Sequence, residues 1–177
     1  CYVRDQYGVS RGLIALGHTA EAEAILKYYW QIWQRYGRIC NAQAAGVEGV
    51  FHIHENDEVE ITGYLIRQAF DLESAGCPGV IERVFPMLLW AWEAQKKHLI
   101  AGMLPFNGDE TYVAGGILPR TALNDGSSEA TLLFLDGGEK LIAWAAGRKM
   151  MSADVLAAER ALLNQVRSAY RANFWRA

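Results

Sequence analysis

Apolar residues recur at helical spacing along nearly the whole chain, and strand-type alternation is almost missing. The segments that carry this period are joined alternately by short links and by long polar connections. That layout limits the fold more than any single motif does. It predicts antiparallel helical hairpins with the long connections gathered at one end. The short links are Gly17 to Thr19, Ser74 to Pro78 and Arg148 to Ser152. The long ones are Arg38 to Asn56 and Ala101 to Gly126.

The clearest helix runs from Thr19 to Gly37. Thr19 is its expected N-cap, Glu21 and Glu23 suit the positive end of the helix dipole, and Gly37 suits the stop. Ala22, Ile25, Leu26, Tyr29, Trp33 and Tyr36 share one face. Before it, Arg4 to Leu16 reads as a helix with Val9, Leu13 and Leu16 inward. Asp57-Glu58-Val59-Glu60 resembles a capping box and opens a helix to about Ser74, stopped at Gly76. Val59, Thr62, Gly63, Ile66, Ala69 and Phe70 form its inner face. Pro86 is the expected first-turn proline of a helix reaching about Ile100. Ser127 or Ser128 opens the next, with a possible break at Gly137-Gly138. Ser152 caps the last, with Val155, Leu162, Val166 and Tyr170 inward. The expectation is an all-α single domain of about six helices.

Composition narrows the function classes. At 177 residues the chain can bury a sizeable core, and 51% hydrophobic against 21% charged residues is a globular balance. A net charge of −3 without a basic cluster gives nucleic acid or an anionic membrane no electrostatic hold. No apolar run reaches the roughly 18 residues of a membrane helix. The three cysteines are scattered, which fits neither a disulfide framework nor a zinc site and suggests a reducing, cytoplasmic compartment. The chain opens at Cys1 inside what reads as a motif, so it is expected to be part of a longer polypeptide.

Three polar segments carry the candidate chemistry. Leu104 to Gly116 holds the adjacent carboxylates Asp109 and Glu110 between Phe106 and Tyr112, with neither helical nor strand period. Such connections are usually built around a ligand. Tyr2 to Tyr7 and His52 to Glu58 are also rich in carboxylates. Each precedes or joins a helix, so hairpins would bring them into one acidic, aromatic cleft. His52-Ile53-His54-Glu55 has alternating histidines that point the same way in an extended segment, but spacing places no third metal ligand, and no metal or cofactor is expected. Glu129 reads as first-turn charge or as a cleft carboxylate.

Taken together these segments resemble the glucoamylase-like six-hairpin glycosidases (glycoside hydrolase family fifteen and relatives). Tyr2-Val3-Arg4-Asp5 is similar to that family's Arg-Asp motif at a helix start. Asn56-Asp57-Glu58-Val59-Glu60-Ile61-Thr62 stands where the family has an Asn-Asp-Gly-Pro stretch. The Asp109-Glu110 segment stands where the family carries its catalytic acid. Here Gly108-Asp109-Glu110 replaces the family's Trp-Glu-Glu, and Glu58-Val59 replaces Gly-Pro. The resemblance implies about half of an (α/α)6 toroid acting on glucosyl-type linkages with inversion. The rest of the ring and the general base would come from longer chain or another subunit.

Glycoside hydrolysis needs one protonated carboxyl for the leaving oxygen and one ionised carboxyl to activate water. Glu110, beside Asp109 and between aromatics, is the expected acid. Arg4, Asp5, His54, Glu55, Asp57, Asp109 and Tyr112 are the expected carbohydrate contacts. Two rivals remain. One is a sugar epimerase on the same ring, using His52 or His54 for proton transfer. The other is a carbohydrate-binding half-ring without turnover.

Overall fold

The computed structural model describes residues 2–40, 42–43, 51–52, 57–105 and 126–175. Among the described residues the fold is all-helical apart from one short ladder and an isolated bridge between Ile100 and Met103. The helices are α1 (Val3–Ala15), α2 (Thr19–Tyr36), α3 (Asp57–Ser74), α4 (Val80–Lys96), α5 (Ser128–Gly147) and α6 (Ala153–Phe174). Inside the first long connection, β1 (Ala42–Gln43) pairs antiparallel with β2 (Phe51–His52), Ala42 opposite His52.

The expected alternation is present. α1 packs on α2, α3 on α4 and α5 on α6, while α3 also packs on α1, α2 and α5. Arg83 at the start of α4 bonds Glu23 near the start of α2 at 2.8 Å, and Arg148 just past α5 lies 3.7 Å from Glu82 of α4. The three short links therefore share one end. α2 alone has 18 residues, which is a length of about 27 Å. The starts of α1, α3 and α5 accordingly lie at the far end, with the long connections. There, Ser127 N–H donates to the Leu104 carbonyl at 2.6 Å, and Leu104 N–H donates to Thr131 Oγ1 at 3.0 Å. These bonds tie both ends of the 106–125 connection to the start of α5.

Hydrophobic burial holds the hairpins together. Trp92, Tyr29, Phe134, Leu26, Leu65, Ile66, Leu72, Met87 and Leu88 are all fully buried. Trp92 stacks on Phe134 with centroids 4.2 Å apart, and its indole N–H donates to the buried Glu159 at 3.0 Å. Gly63 lets α3 and α5 approach: a Cβ there would lie 2.9 Å from the Leu133 Cβ.

Several local expectations are corrected. Gly137-Gly138 does not break α5, which is continuous; Gly138 makes room for Trp92. Pro86 does not open α4 but lies inside it. The helix starts at Val80 after a left-handed Gly79 (φ 77°), because Val80, Ile81 and Val84 are all buried. A proline there forfeits one backbone bond, and the burial of Phe85 and Met87 on either side holds the helix through it. α4 also ends at Lys96, short of Ile100. Thr19 is the first residue of α2, not its cap. Val9, Leu16 and Val155 are exposed, while Val3, Tyr7 and Ser10 are the buried positions of α1. The two α1 triplets have the same spacing. Leu13 of the expected stripe packs half-buried against the core, while a phenol and a hydroxyl make the fully buried stripe look less apolar. Gly37 (φ 69°), Ser127 and Ser152 terminate or cap their helices as expected.

Candidate functional site

Arg4 and Asp5 lie in the first turn of α1, and Asp57 is the first residue of α3. The structure thus brings these three to the same end. Asp5 is exposed and Arg4 is half-buried. The side chain of Asp57 and the whole of His54, Glu55, Asp109, Glu110 and Tyr112 lie outside the described residues, so the convergence of Glu110 on Arg4 does too. His52 stands in β2, opposite Ala42.

Between the described loop ends, α1, α3 and α5 present a polar face that pattern reading did not single out. The Tyr7 and Tyr64 rings pack with centroids 5.5 Å apart. Tyr64 O–H donates to Glu129 Oε1 at 2.5 Å, linking α3 to the first turn of α5. Tyr7 O–H donates to Asp71 Oδ2 at 2.9 Å and accepts from Arg67 Nε at 3.1 Å. Arg67 reaches α5 as well, 3.1 Å from Asp136 Oδ2, and Lys140 also bonds Asp136.

The electrostatics follow from partial burial beside charge. Burial pushes the Tyr7 hydroxyl above the usual tyrosine range. The bond from Arg67 pulls it back, and Asp71 pushes it up again. Burial works against the Arg67 charge, but Tyr7, Asp136 and Asp71 outweigh it and hold the guanidinium firmly protonated. The face therefore offers fixed donors and acceptors: two phenols, three carboxylates and two cations. That inventory suits hydroxyl-rich ligands. Among the described residues no group of three or more His, Cys, Asp or Glu is placed to hold a metal. A groove of about 460 Å3 lies between α2 and α4, lined by residues such as Trp30, Val80 and Arg83, and shares no residue with this face. A second, of about 820 Å3 between α5 and α6, touches it at Asp136.

No protein-family model matches the chain, and no curated protein and no solved structure matches it. Tyr64, Arg67 and Asp71 stand at i, i+3 and i+7, and Asp136 and Lys140 at i and i+4. These are same-face spacings that a search for polar stripes on helices, as opposed to loops, would have found.

Proposed function

We propose that this chain is an arc of an (α/α)6 six-hairpin toroid and part of a glycoside hydrolase for glucosyl-type linkages, working with inversion. One observation supports this best: α1, α3 and α5 all start at the same end, with Arg4 and Asp5 in the first turn of α1 and Asp57 in that of α3. In this reading Glu110 is the general acid. Arg4, Asp5 and Asp57, with His54, Glu55, Asp109 and Tyr112, hold the sugar. The water-activating base and the remaining hairpins belong to longer chain or another subunit. Arg4 would supply the donors and Asp5 the acceptor that sugar hydroxyls need.

The test is Glu110→Gln in the native polypeptide. The amide keeps the size and loses the transferable proton. Turnover of glycosides with poor leaving groups should fall by about 10²–10⁴-fold. Activated aryl glycosides, which need little protonation, should lose much less. Equal losses on both would assign Glu110 to positioning, and no loss on either would remove it from the mechanism. Activity that disappears in His54→Ala while Glu110→Gln stays active would point to the epimerase instead.

A further inference from the structure

The Tyr64–Glu129 pair has no assigned task in the reading above. Glu129 lies in the first turn of α5, where an acidic residue is ordinarily explained by the helix dipole. Its geometry goes further than that. The capping work at this terminus is done by Ser127, whose hydroxyl accepts from Ala130 N–H at 3.2 Å. The Glu129 side chain turns instead to a different helix, where Oε1 takes the Tyr64 proton at 2.5 Å. That length belongs to charge-assisted O–H···O bonds.

The two partners differ in burial, and the difference is informative. Tyr64 is 7% exposed and its ring is wedged against Tyr7, so the hydroxyl is a fixed point. Glu129 is exposed. A buried phenol thus anchors one oxygen of a carboxylate that solvent reaches. A carboxylate has about four acceptor positions, and Tyr64 uses one. The anchored group stands two residues after Ser127, where the 106–125 connection rejoins the core through the Leu104 carbonyl.

We infer that Glu129, anchored by Tyr64, is a substrate-binding carboxylate that accepts hydrogen bonds from adjacent ring hydroxyls of the sugar. The inference rests on the glycosidase reading for its ligand class but not for its readout. Tyr64 is then a positioning residue. Without its proton the carboxylate loses its fixed direction, and binding weakens although the contacting group is still present.

The experiment uses the native polypeptide, Tyr64→Phe, Glu129→Gln and the double variant. Binding of 1-deoxynojirimycin, a cationic glucose mimic that carries the ring hydroxyls, is measured by titration calorimetry. KM and kcat are measured on an aryl glucoside, and Tm by thermal denaturation. Glu129→Gln should weaken binding by about tenfold to a hundredfold, the worth of hydrogen bonds to a charged group. Tyr64→Phe should weaken it by about threefold to tenfold, mainly through KM. The double variant should bind like Glu129→Gln alone, because Tyr64 acts through Glu129. If both single variants keep the wild-type Kd within about twofold and lower Tm alone, the pair is a brace between α3 and α5 and the inference is overturned. A wild type that binds the mimic but cleaves no glycoside sinks hydrolysis and leaves Glu129 to be judged on Kd. A wild type that binds no mimic overturns the inference as well.

Discussion

Gly138→Ala sets two helix effects against each other at one atom. In a helix interior alanine is favoured over glycine by about 1 kcal/mol, because glycine loses more backbone freedom on folding. Against that, a Cβ at Gly138 would lie 2.4 and 2.5 Å from two Trp92 ring carbons and 3.0 Å from a Leu163 methyl. The ring has little room to yield. Trp92 is fully buried, stacked on Phe134, and held by its bond to Glu159. Relief has to come from parting α5 from α4, which opens the best-packed part of the core. Overpacking of this kind costs about 3 kcal/mol at the upper end of its usual range. The net loss is then about 2 kcal/mol, or a fall in Tm of about 4–8 °C for a chain of this length. Gly8→Ala is the control. Gly8 is exposed in α1 with nothing within 4 Å of an added Cβ, so propensity acts alone and Tm should rise by about 2–4 °C. Thermal and urea denaturation of the two variants against wild type decide the matter. Gly138→Ala as stable as wild type would mean that the helices part freely and that the core argument is wrong.

Four further outcomes concern two other buried side chains, Tyr29 and Glu159. Tyr29→Phe should raise stability by about 1 kcal/mol at neutral pH, because its hydroxyl is fully buried with no hydrogen-bond partner among the described residues; a lower urea midpoint would show that the hydroxyl is satisfied after all. Burial above all, then Tyr28 and Asp5, pushes the Tyr29 pKa well above the tyrosine range. A raised pKa gives stability that is present below the unfolded value near 10 and lost as pH rises beyond it, so the advantage of Tyr29→Phe should widen above about pH 10. Glu159→Gln should cost about 1–2 kcal/mol at pH 7, since Lys96 Nζ loses its 2.6 Å partner while Trp92 keeps an acceptor. Partial burial works against the Lys96 charge, but Glu159 and Glu93 outweigh it and raise its pKa. That contribution is complete below the unfolded lysine value of about 10.4 and is lost as pH rises through the folded one, so the variant should show a shallower alkaline decline in its urea midpoint.

Helix number, the Gly37 stop and the Ser127 and Ser152 caps are legible in the sequence because they depend on local chemistry. Gly37 can take a left-handed φ, and Ser127 and Ser152 can accept a backbone N–H, whatever packs elsewhere. The failures have a tertiary cause. Gly137-Gly138 looks like a break in one dimension, yet Trp92, more than 40 residues earlier, occupies the space that Gly138 leaves. Pro86 looks like a start until Val80, Ile81 and Val84 are seen to be buried. Val9 and Leu16 looked like core because α1 was assumed to bury its most apolar stripe, whereas it buries Tyr7 and Ser10. At the candidate site, loop carboxylates were easy to see because they cluster in sequence. The Tyr7, Tyr64, Arg67 and Asp136 group is spread over three helices, and nothing short of their packing assembles it.

That group also bears on what the shared face of α1, α3 and α5 is for. Arg67 joins the two flanking helices through Tyr7 on one side and Asp136 on the other, with its side chain about a third exposed. Ion pairs at that exposure contribute about 0–1 kcal/mol, less than an apolar side chain of similar size would contribute by burial between the same helices. Stability alone therefore does not favour an arginine, two aspartates and a lysine along this face. Hydration does not require so ordered an arrangement either, since free surface charges need no fixed partners. A face that faces a polar ligand needs both: groups that stay hydrogen-bonded when water leaves, and geometry that is set before the ligand arrives. Tyr7 and Tyr64 meet the second need, because buried rings fix where their hydroxyls point. Tyr64 and its bond to Glu129 join this polar face to the start of α5, and the buried apolar side of the same three helices carries the fold.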